Sequence, residues 1–504
     1  MDFCTKCRSV ALIPMTTPAR PAAKYALLTI TWLAWGGLMA GCSSGGASST
    51  PSSSSAATVT DVTVVLSSNA NDQFTDFGAV LQSITLTNYS GKSVTLLSQP
   101  MGAEFIHLNG LVEPMITGTL PQDTYTSATV TVGNTQFTCV GINTEGGLLV
   151  STYAYGYVQP AFVTVNLPTP IVVSGDTTGL TLRMLTDQSA SLSSCASGAS
   201  YAITPTFTLS SFDIAHATLG SPSNTVLSLE GEITAVSAAS GSFEVQRPEL
   251  MSEPATNLNV STDSGTVLQG IDDLASLAVG MFVDIDGAIQ ADGSVHATRV
   301  SVADRAAVDV RRGPIVSVYN QAVPIVTIKP VTGQGTDGLV NLEPYDFSST
   351  MFNISGQLTN LQQLPFAATF NAANMVAGQN VYLSSPAFVK CCGLQYYAPA
   401  TTITLMPQAI DGIVLGSSVS GNFTIYSVEL ANYDPFVILA ALPGQATLVT
   451  QPDVVQVYVD SSTRMLNSTS VATGGTLRFY GLVFNDQGVL RMDCAQINDG
   501  VPQN

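Results

Sequence analysis

Short apolar runs with a period of two, broken by turn residues, fill the chain from Val62 onward. In GAVLQSITLTN, Val80, Ile84 and Leu86 alternate with polar residues, and Asn88-Tyr89-Ser90-Gly91 follows as a turn. Ala128, Val130 and Val132 share one face of TYTSATVTVG, and FVTVNLP, LTLRML and TPTFTLSSF continue the pattern. A strand places alternate side chains on opposite faces, so this spacing predicts half-buried strands rather than helices. Turn signals at such short intervals predict an all-β fold that opens with an antiparallel β-sandwich. With 45% hydrophobic and only 10% charged residues, the composition excludes a disordered chain.

The first 57 residues read differently. Lys6, Arg8, Arg20 and Lys24 stand against one acid, Asp2, and the uncharged run YALLTITWLAWGGLMA covers 25–40. That run is shorter than the ~20 apolar residues a membrane-spanning helix needs. A basic region, a short apolar region and a small-residue site predict a secretory signal over 1–41. Leu38-Met39-Ala40-Gly41-Cys42 resembles the lipobox of bacterial lipoproteins, with Met39 at the position where leucine is usual. The resemblance implies cleavage before Cys42, acylation of Cys42, and a lipid anchor as the contact with the membrane. Ser43, where retained lipoproteins carry aspartate, implies an outer-membrane location. Residues 42–57, rich in Ser and Gly, then form a flexible tether reaching about 20 Å.

Formal net charge is −19, and loss of residues 1–41 would remove four bases and one acid, leaving −22. Such an acidic chain argues against nucleic acid as a partner. Of eight cysteines, Cys4 and Cys7 leave with the signal and Cys42 takes the lipid. Cys139 and Cys195 fall in one expected domain and are expected to pair in an oxidising compartment. Cys391, Cys392 and Cys494 are an odd set, so one stays free or pairs between chains.

The domain reading is a sandwich over 58–220, then three small β-barrel units over 221–306, 307–409 and 410–504. LSLEGEITAVSAASGSFEV and LASLAVGMFVDIDGAIQADGSVHATRVSV give the first unit's plan. DGIVLGSSVSGNFTIYSVEL and GGTLRFYGLVFNDQGVLRMDCAQI repeat it, with Gly474 and Gly481 spaced as Gly280 and Gly287 are. Asp292-Gly293 is a strong hairpin signal, replaced by Gln487-Gly488 in the last unit. The middle unit, with RGPIVSVYNQAVPIVTI, MVAGQNVYLSS and TTITLM, is the most diverged. Most of 58–170 resembles a 4382-type domain of unknown function from bacterial lipoproteins. That resemblance rests on the AVLQSITLTNYSGKSVTLL hairpin and LPQDTYTSATVTV, and it implies an immunoglobulin-like or transthyretin-like sandwich without a known activity. The unit at 227–302 resembles a 5666-type domain of unknown function, a small six-stranded barrel found in tandem.

Sites for chemistry are sparse. His107, His216 and His296 are the only histidines, and His296 is expected to sit half-exposed on a strand. A P-loop is absent. Asp284 and Asp286 share a strand face; with Asp292 they are weak candidates for Ca²⁺, or else a solvent-facing strand edge. Asp272-Asp273 is expected to cap a turn. Tyr153, Tyr155 and Tyr157 alternate in STYAYGYVQP, and Tyr396-Tyr397 follow Cys391-Cys392. These tyrosines are the candidate binding surface, or else a ladder that stabilises the sheet. No cofactor is expected. The leading functional reading is a lipid-anchored, non-catalytic envelope protein that binds a glycan or an envelope protein. A structural spacer and a carboxylate-dependent hydrolase are the alternatives.

Overall fold

The computed structural model describes residues 58–499, except 70–72, 75, 109–110, 146–147, 159–160, 176, 193–200, 217–222, 249, 251–252, 254–255, 305–308, 320–324, 329–338, 343–349, 356–360, 386–388, 392–394, 399–400, 441–448 and 466–469. The expected signal, Cys42 and the tether lie outside these residues. The chain from Thr58 onward forms one compact unit, and it is all-β apart from short helical turns.

Two sheets make the opening sandwich. One has the strands Phe207–Phe212, Thr177–Met184, Val59–Ser68 and Val112–Pro121 in that order. The other has seven strands built on Asp76–Asn88 and Asp123–Glu145. Alternation sends Val62, Val64, Leu66, Ile84, Leu86 and Val130 into the shared core. The sandwich departs from the antiparallel expectation in one strand pair and in an isolated parallel bridge between Asn166 and Thr208. Val59–Ser68 runs parallel to Thr177–Met184, from Asp61 opposite Thr177 to Ser68 opposite Met184. Local alternation is the same for either pairing, so only the long return path of the chain decides it. The expected turns form. The Asn88 carboxamide oxygen accepts from the N–H groups of Ser90 (3.0 Å) and Lys92 (2.8 Å), and the Tyr125 hydroxyl donates to the Pro121 carbonyl at 2.9 Å.

The next unit is a closed six-stranded barrel. Its strands in chain order are Thr225–Ser237, Ser242–Gln246, Asn257–Ser261, Val267–Gln269, Phe282–Ile289 and Val295–Asp304. Their order in the sheet is third, second, first, fifth, sixth, fourth, and the third also pairs with the sixth. The last unit has the same order and the same closure over Gln408–Ser420, Phe423–Leu430, Val454–Val459, Arg464–Met465, Thr476–Asp486 and Val489–Asp499. The repeated glycines have a physical reason. Gly280 and Gly474 hold left-handed backbone, with φ of +88° and +82°. At Gly287 and Gly481 a Cβ would fall 2.4 Å from the His296 carbonyl oxygen and 2.0 Å from that of Asp493. Asp273 caps its short helical turn as expected, accepting from the Ser276 N–H at 2.9 Å.

The middle unit is not a third copy of this barrel. Asp309–Tyr319, Ile325–Ile328, Leu339–Leu342, Met351–Ile354, Asn380–Ser385 and Thr402–Leu405 keep the six-strand order. However, a hairpin of Val389–Cys391 and Gln395–Ala398 is inserted between the fifth and sixth strands and pairs with the third. It takes the edge that the sixth strand covers in the other two units, giving a sheet of eight strands.

One turn carries a testable strain. The last barrel's final hairpin closes with Asp486 opposite Val489, so Gln487 and Gly488 form a two-residue loop with φ of +53° and +87°. Left-handed backbone disfavours a long side chain, whereas asparagine accepts it. Gln487→Asn is expected to stabilise the protein by about 0.5–1 kcal/mol, read as a higher urea midpoint. An unchanged or lower midpoint would refute the strain at this turn.

Candidate functional site: a charged junction and a polar cleft

The units meet through shared apolar clusters and through polar strand faces. In each, the first strand carries a charged residue just before a glycine, and the fifth strand places a polar residue opposite it. The pairs are Glu230 with Asp284, Arg312 with Tyr382, and Asp411 with Arg478. The sixth strand adds Ser301, Thr404 and Asn498 in the same rows. All of these except Ser301 are buried. Equivalent positions thus carry acid with acid, cation with phenol, and acid with cation. Burying like charges is costly, whereas complementary rows can neutralise one another across a junction.

Arg299 ties the first barrel's acids together. Its Nε donates to Asp286 at 2.9 Å and its Nη2 to Asp284 at 3.3 Å. Burial pushes the Asp284 carboxyl up to about 6; Arg299 opposes this, while Asp286 and Glu230 add to it. Asp286 also accepts from the N–H of Ser228 at 3.0 Å. That contact holds Ser228 in left-handed backbone, φ +53°, at a bulge between Val226 and Leu229. The expectation of a solvent-facing edge is therefore corrected: Asp284 and Asp286 are 2% and 8% exposed. Nor does Asp292 join them. It sits in the hairpin turn, accepting from the N–H (3.0 Å) and hydroxyl (2.7 Å) of Ser294. Arg299 occupies the side of the pair where a cation would bind. Among the described residues no group of three acidic, histidine or cysteine side chains is placed to hold a metal.

The sandwich contributes a second tie. His107 donates Nε2–H to Glu113 at 2.6 Å and Nδ1–H to Glu104. Glu113 also takes Arg247 of the first barrel, whose Nη1 reaches the Pro114 carbonyl at 3.2 Å. Burial opposes the imidazolium, but the two carboxylates outweigh it and raise His107 to about 10. Burial likewise opposes the Glu113 carboxylate, but Arg247 and His107 outweigh it and lower the group to about 2. Glu104 is lowered too, since His107 and the N–H groups of Phe77 and Ile106 outweigh its burial. With both ring nitrogens donating, His107 has no lone pair left for base or metal chemistry. The signal in the sequence was the spacing of Glu104, His107 and Glu113, together with arginines set inside apolar strands of a chain with only 16 Lys and Arg.

Further contacts lock the units. Ser355 of the middle unit donates its hydroxyl to Asp284 at 3.3 Å, and Gln379 donates Nε2–H to the Val483 carbonyl at 2.9 Å. Phe282 meets Tyr382 edge-on at 5.7 Å between ring centres. A cavity of about 150 Å³ remains inside the junction, lined by Glu104, His107, Glu113, Glu230, Arg247 and Arg312 among others. A larger cleft of about 630 Å³ opens between the first barrel and the middle unit, with Asp284, Tyr382 and Thr404 in its lining.

The other expected site residues lie apart. Tyr153, Tyr155 and Tyr157 stand on Leu148–Val158, opposite Val140, Thr138 and Gln136 in the seven-stranded sheet; their side chains lie outside the described residues. Tyr396 and Tyr397 stand on the inserted hairpin, opposite Val340 and Asn341, and their side chains are likewise outside. Cys139 is disulfide-bonded, and its expected partner Cys195 lies outside the described residues, as does Cys392. Cys494 is free and buried, and burial pushes its thiol up, away from reactivity. His296 is half-exposed on its strand, 3.3 Å from Asp263, and His216 is exposed beside Asp213.

Residues 230–301 match the family described as a domain of unknown function, DUF5666. The match starts at Glu230 and ends at Ser301, so it spans the first barrel and its charged row. No curated protein matches the chain.

Proposed function

We propose that this chain is a lipid-anchored, non-catalytic binding protein of the bacterial cell envelope, with Cys42 as its acylated residue. On this reading the sandwich is a 4382-type domain that faces the partner. The observation that carries the reading is the outer face of the seven-stranded sheet. Rows of hydroxyls cross it in register: Thr95, Thr85, Thr129 and Thr164 form one, and Ser93, Thr87 and Ser127 another. Neighbouring hydroxyls bond one another, with Ser83 to Thr131 at 2.8 Å and Thr87 to Ser93 at 2.8 Å. These rows carry no charge in a strongly acidic chain, and Phe162 beside them is 83% exposed. A flat, uncharged, hydrogen-bonding face with an aromatic at its edge suits an uncharged glycan or a polar protein surface. The titratable residues of the junction are occupied as ties, which favours binding over catalysis.

Thr129→Lys, on the half-exposed centre of that face, is expected to weaken partner binding at least tenfold while leaving the urea midpoint nearly unchanged. Binding of the detergent-solubilised full chain to a glycan array and to envelope extracts is the measurement. Metabolic labelling with palmitate, lost in Cys42→Ser, tests the anchor. An unlabelled wild type would remove the anchor from the reading, and full binding by Thr129→Lys would remove the face.

A further inference from the structure

The cleft between the first barrel and the middle unit holds polar groups that have no hydrogen-bond partner among the described residues. Two cross-strand rows form its walls. Gln269, Ser301 and Asp284 come from the barrel, and Asn353, Thr404 and Tyr382 from the middle unit. Asp284 spends Oδ2 on Arg299 and Ser355, while its Oδ1 has no hydrogen-bond partner among the described residues. The Thr404 hydroxyl has none either, although the residue is only 5% exposed. Buried polar atoms are satisfied in the great majority of native structures, and each exception asks for a cause. Here two exceptions fall on facing walls of one cleft.

The lining decides what could satisfy them. It contains amides, hydroxyls and one carboxylate, Asp284, which shares the single charge of Arg299 with Asp286. No lysine or arginine is among its described lining residues, and those residues offer nothing to bind a phosphate or a carboxylate. Ile354, Leu361 and Met406 supply apolar patches between the polar groups. Hydroxyls that both donate and accept, spaced along C–H faces, match this mixture; they are the chemistry of a neutral saccharide. At about 630 Å³ the cleft lies within the range of small-molecule sites.

We infer that this cleft is a binding site for an uncharged sugar unit, held by Asp284 and Thr404 on its opposite walls. The inference rests on the binding-protein reading above, but it names a site remote from the hydroxyl face of the sandwich. Thr404→Val tests it, because valine keeps the shape and removes only the hydroxyl. Where a hydroxyl lacks a partner, its loss relieves the empty protein. Where a ligand uses it, its loss weakens the complex. The solubilised full chain would be titrated by calorimetry with neutral oligosaccharides of glucose, galactose, mannose and N-acetylglucosamine. Acidic oligosaccharides, inorganic phosphate and putrescine serve as comparisons. The expected result is binding of a neutral member, weakened about tenfold by Thr404→Val, with the unliganded melting temperature equal to or above that of the wild type. Ser301→Ala, on the facing wall, is expected to weaken it as well. Neutral sugar binding that Thr129→Lys abolishes and Thr404→Val leaves intact would overturn the cleft and keep the binding reading. Preference for phosphate, putrescine or acidic sugars would overturn the ligand class. Silence across the whole panel, or release of new reducing ends, would overturn the inference; reducing-end release would overturn the non-catalytic reading with it.

Discussion

Arg299→Met is expected to destabilise the protein by about 3–5 kcal/mol at pH 7.5, the usual loss when one partner of a buried ion pair is removed. Arg299 is 4% exposed and meets two carboxylates that are themselves buried. Without it, Asp284 and Asp286 keep Glu230 as a neighbouring acid, with Arg312 acting on Asp284 and Arg464 on Asp286. The loss should shrink as pH falls, because protonated carboxyls no longer need a counterion. Combining Arg299→Met with Asp284→Asn and Asp286→Asn should recover most of the stability, since a neutral, well-packed set often equals a buried ion triad. Urea unfolding at pH 7.5 and pH 5 separates the cases. A loss below 1 kcal/mol, equal at both pH values, would show that solvent reaches the triad and that the junction is not sealed.

This triad also marks where sequence reading stops. The period-two pattern located Val283 and Ile285 on the barrel's inner face and Asp284 and Asp286 on the other. It could not say that the other face is covered, because alternation distinguishes two sides of a strand and not what lies beyond them. Glycine spacing was more informative. Gly280 to Gly287 and Gly474 to Gly481 reflect positive φ at one end and the absence of room for a Cβ at the other, so chemistry at those positions fixes the barrel locally. In the middle unit Gly378 keeps the first position, with φ +99°, but Ser385 stands seven residues on. That loss accompanies the inserted hairpin and the changed edge pairing. His107 reads in the sequence as a histidine with two acids at short spacing and no second histidine nearby. Its partners Glu104 and Glu113 are near in sequence, but Arg247 comes from another unit, and that contact exists only after the sandwich and barrel dock.

Docking through charges makes the body's stability a function of pH, and the direction follows from each group. Glu113 falls from its ordinary 4.5 to about 2 in the folded protein. Its contribution is complete above pH 4.5 and disappears as pH falls toward 2. His107 rises from 6.5 to about 10, so its contribution is complete below pH 6.5 and disappears as pH rises through 10. Asp284 and Asp493 move the opposite way from Glu113. Burial raises them from 3.8 to about 6 and about 7, with Asp460 adding to the shift of Asp493. The native state then holds their protons more tightly than the unfolded chain does, and stability declines as pH rises from 3.8 through those values. The effects together place maximal stability near pH 4, with a decline of several kcal/mol by pH 8. A maximum at pH 8 in urea unfolding would contradict this balance. Glu113→Gln separates the tie from the other groups. It should remove about 3–5 kcal/mol near pH 5 by leaving Arg247 and His107 short of a counterion. It should also abolish the stability contribution that Glu113 otherwise loses in acid. The ring signals of His107 report the same change without unfolding. In the wild type they should stay in the imidazolium form through pH 8, and in Glu113→Gln they should titrate at lower pH. An imidazole that titrates identically in both proteins would place its proton outside Glu113's reach.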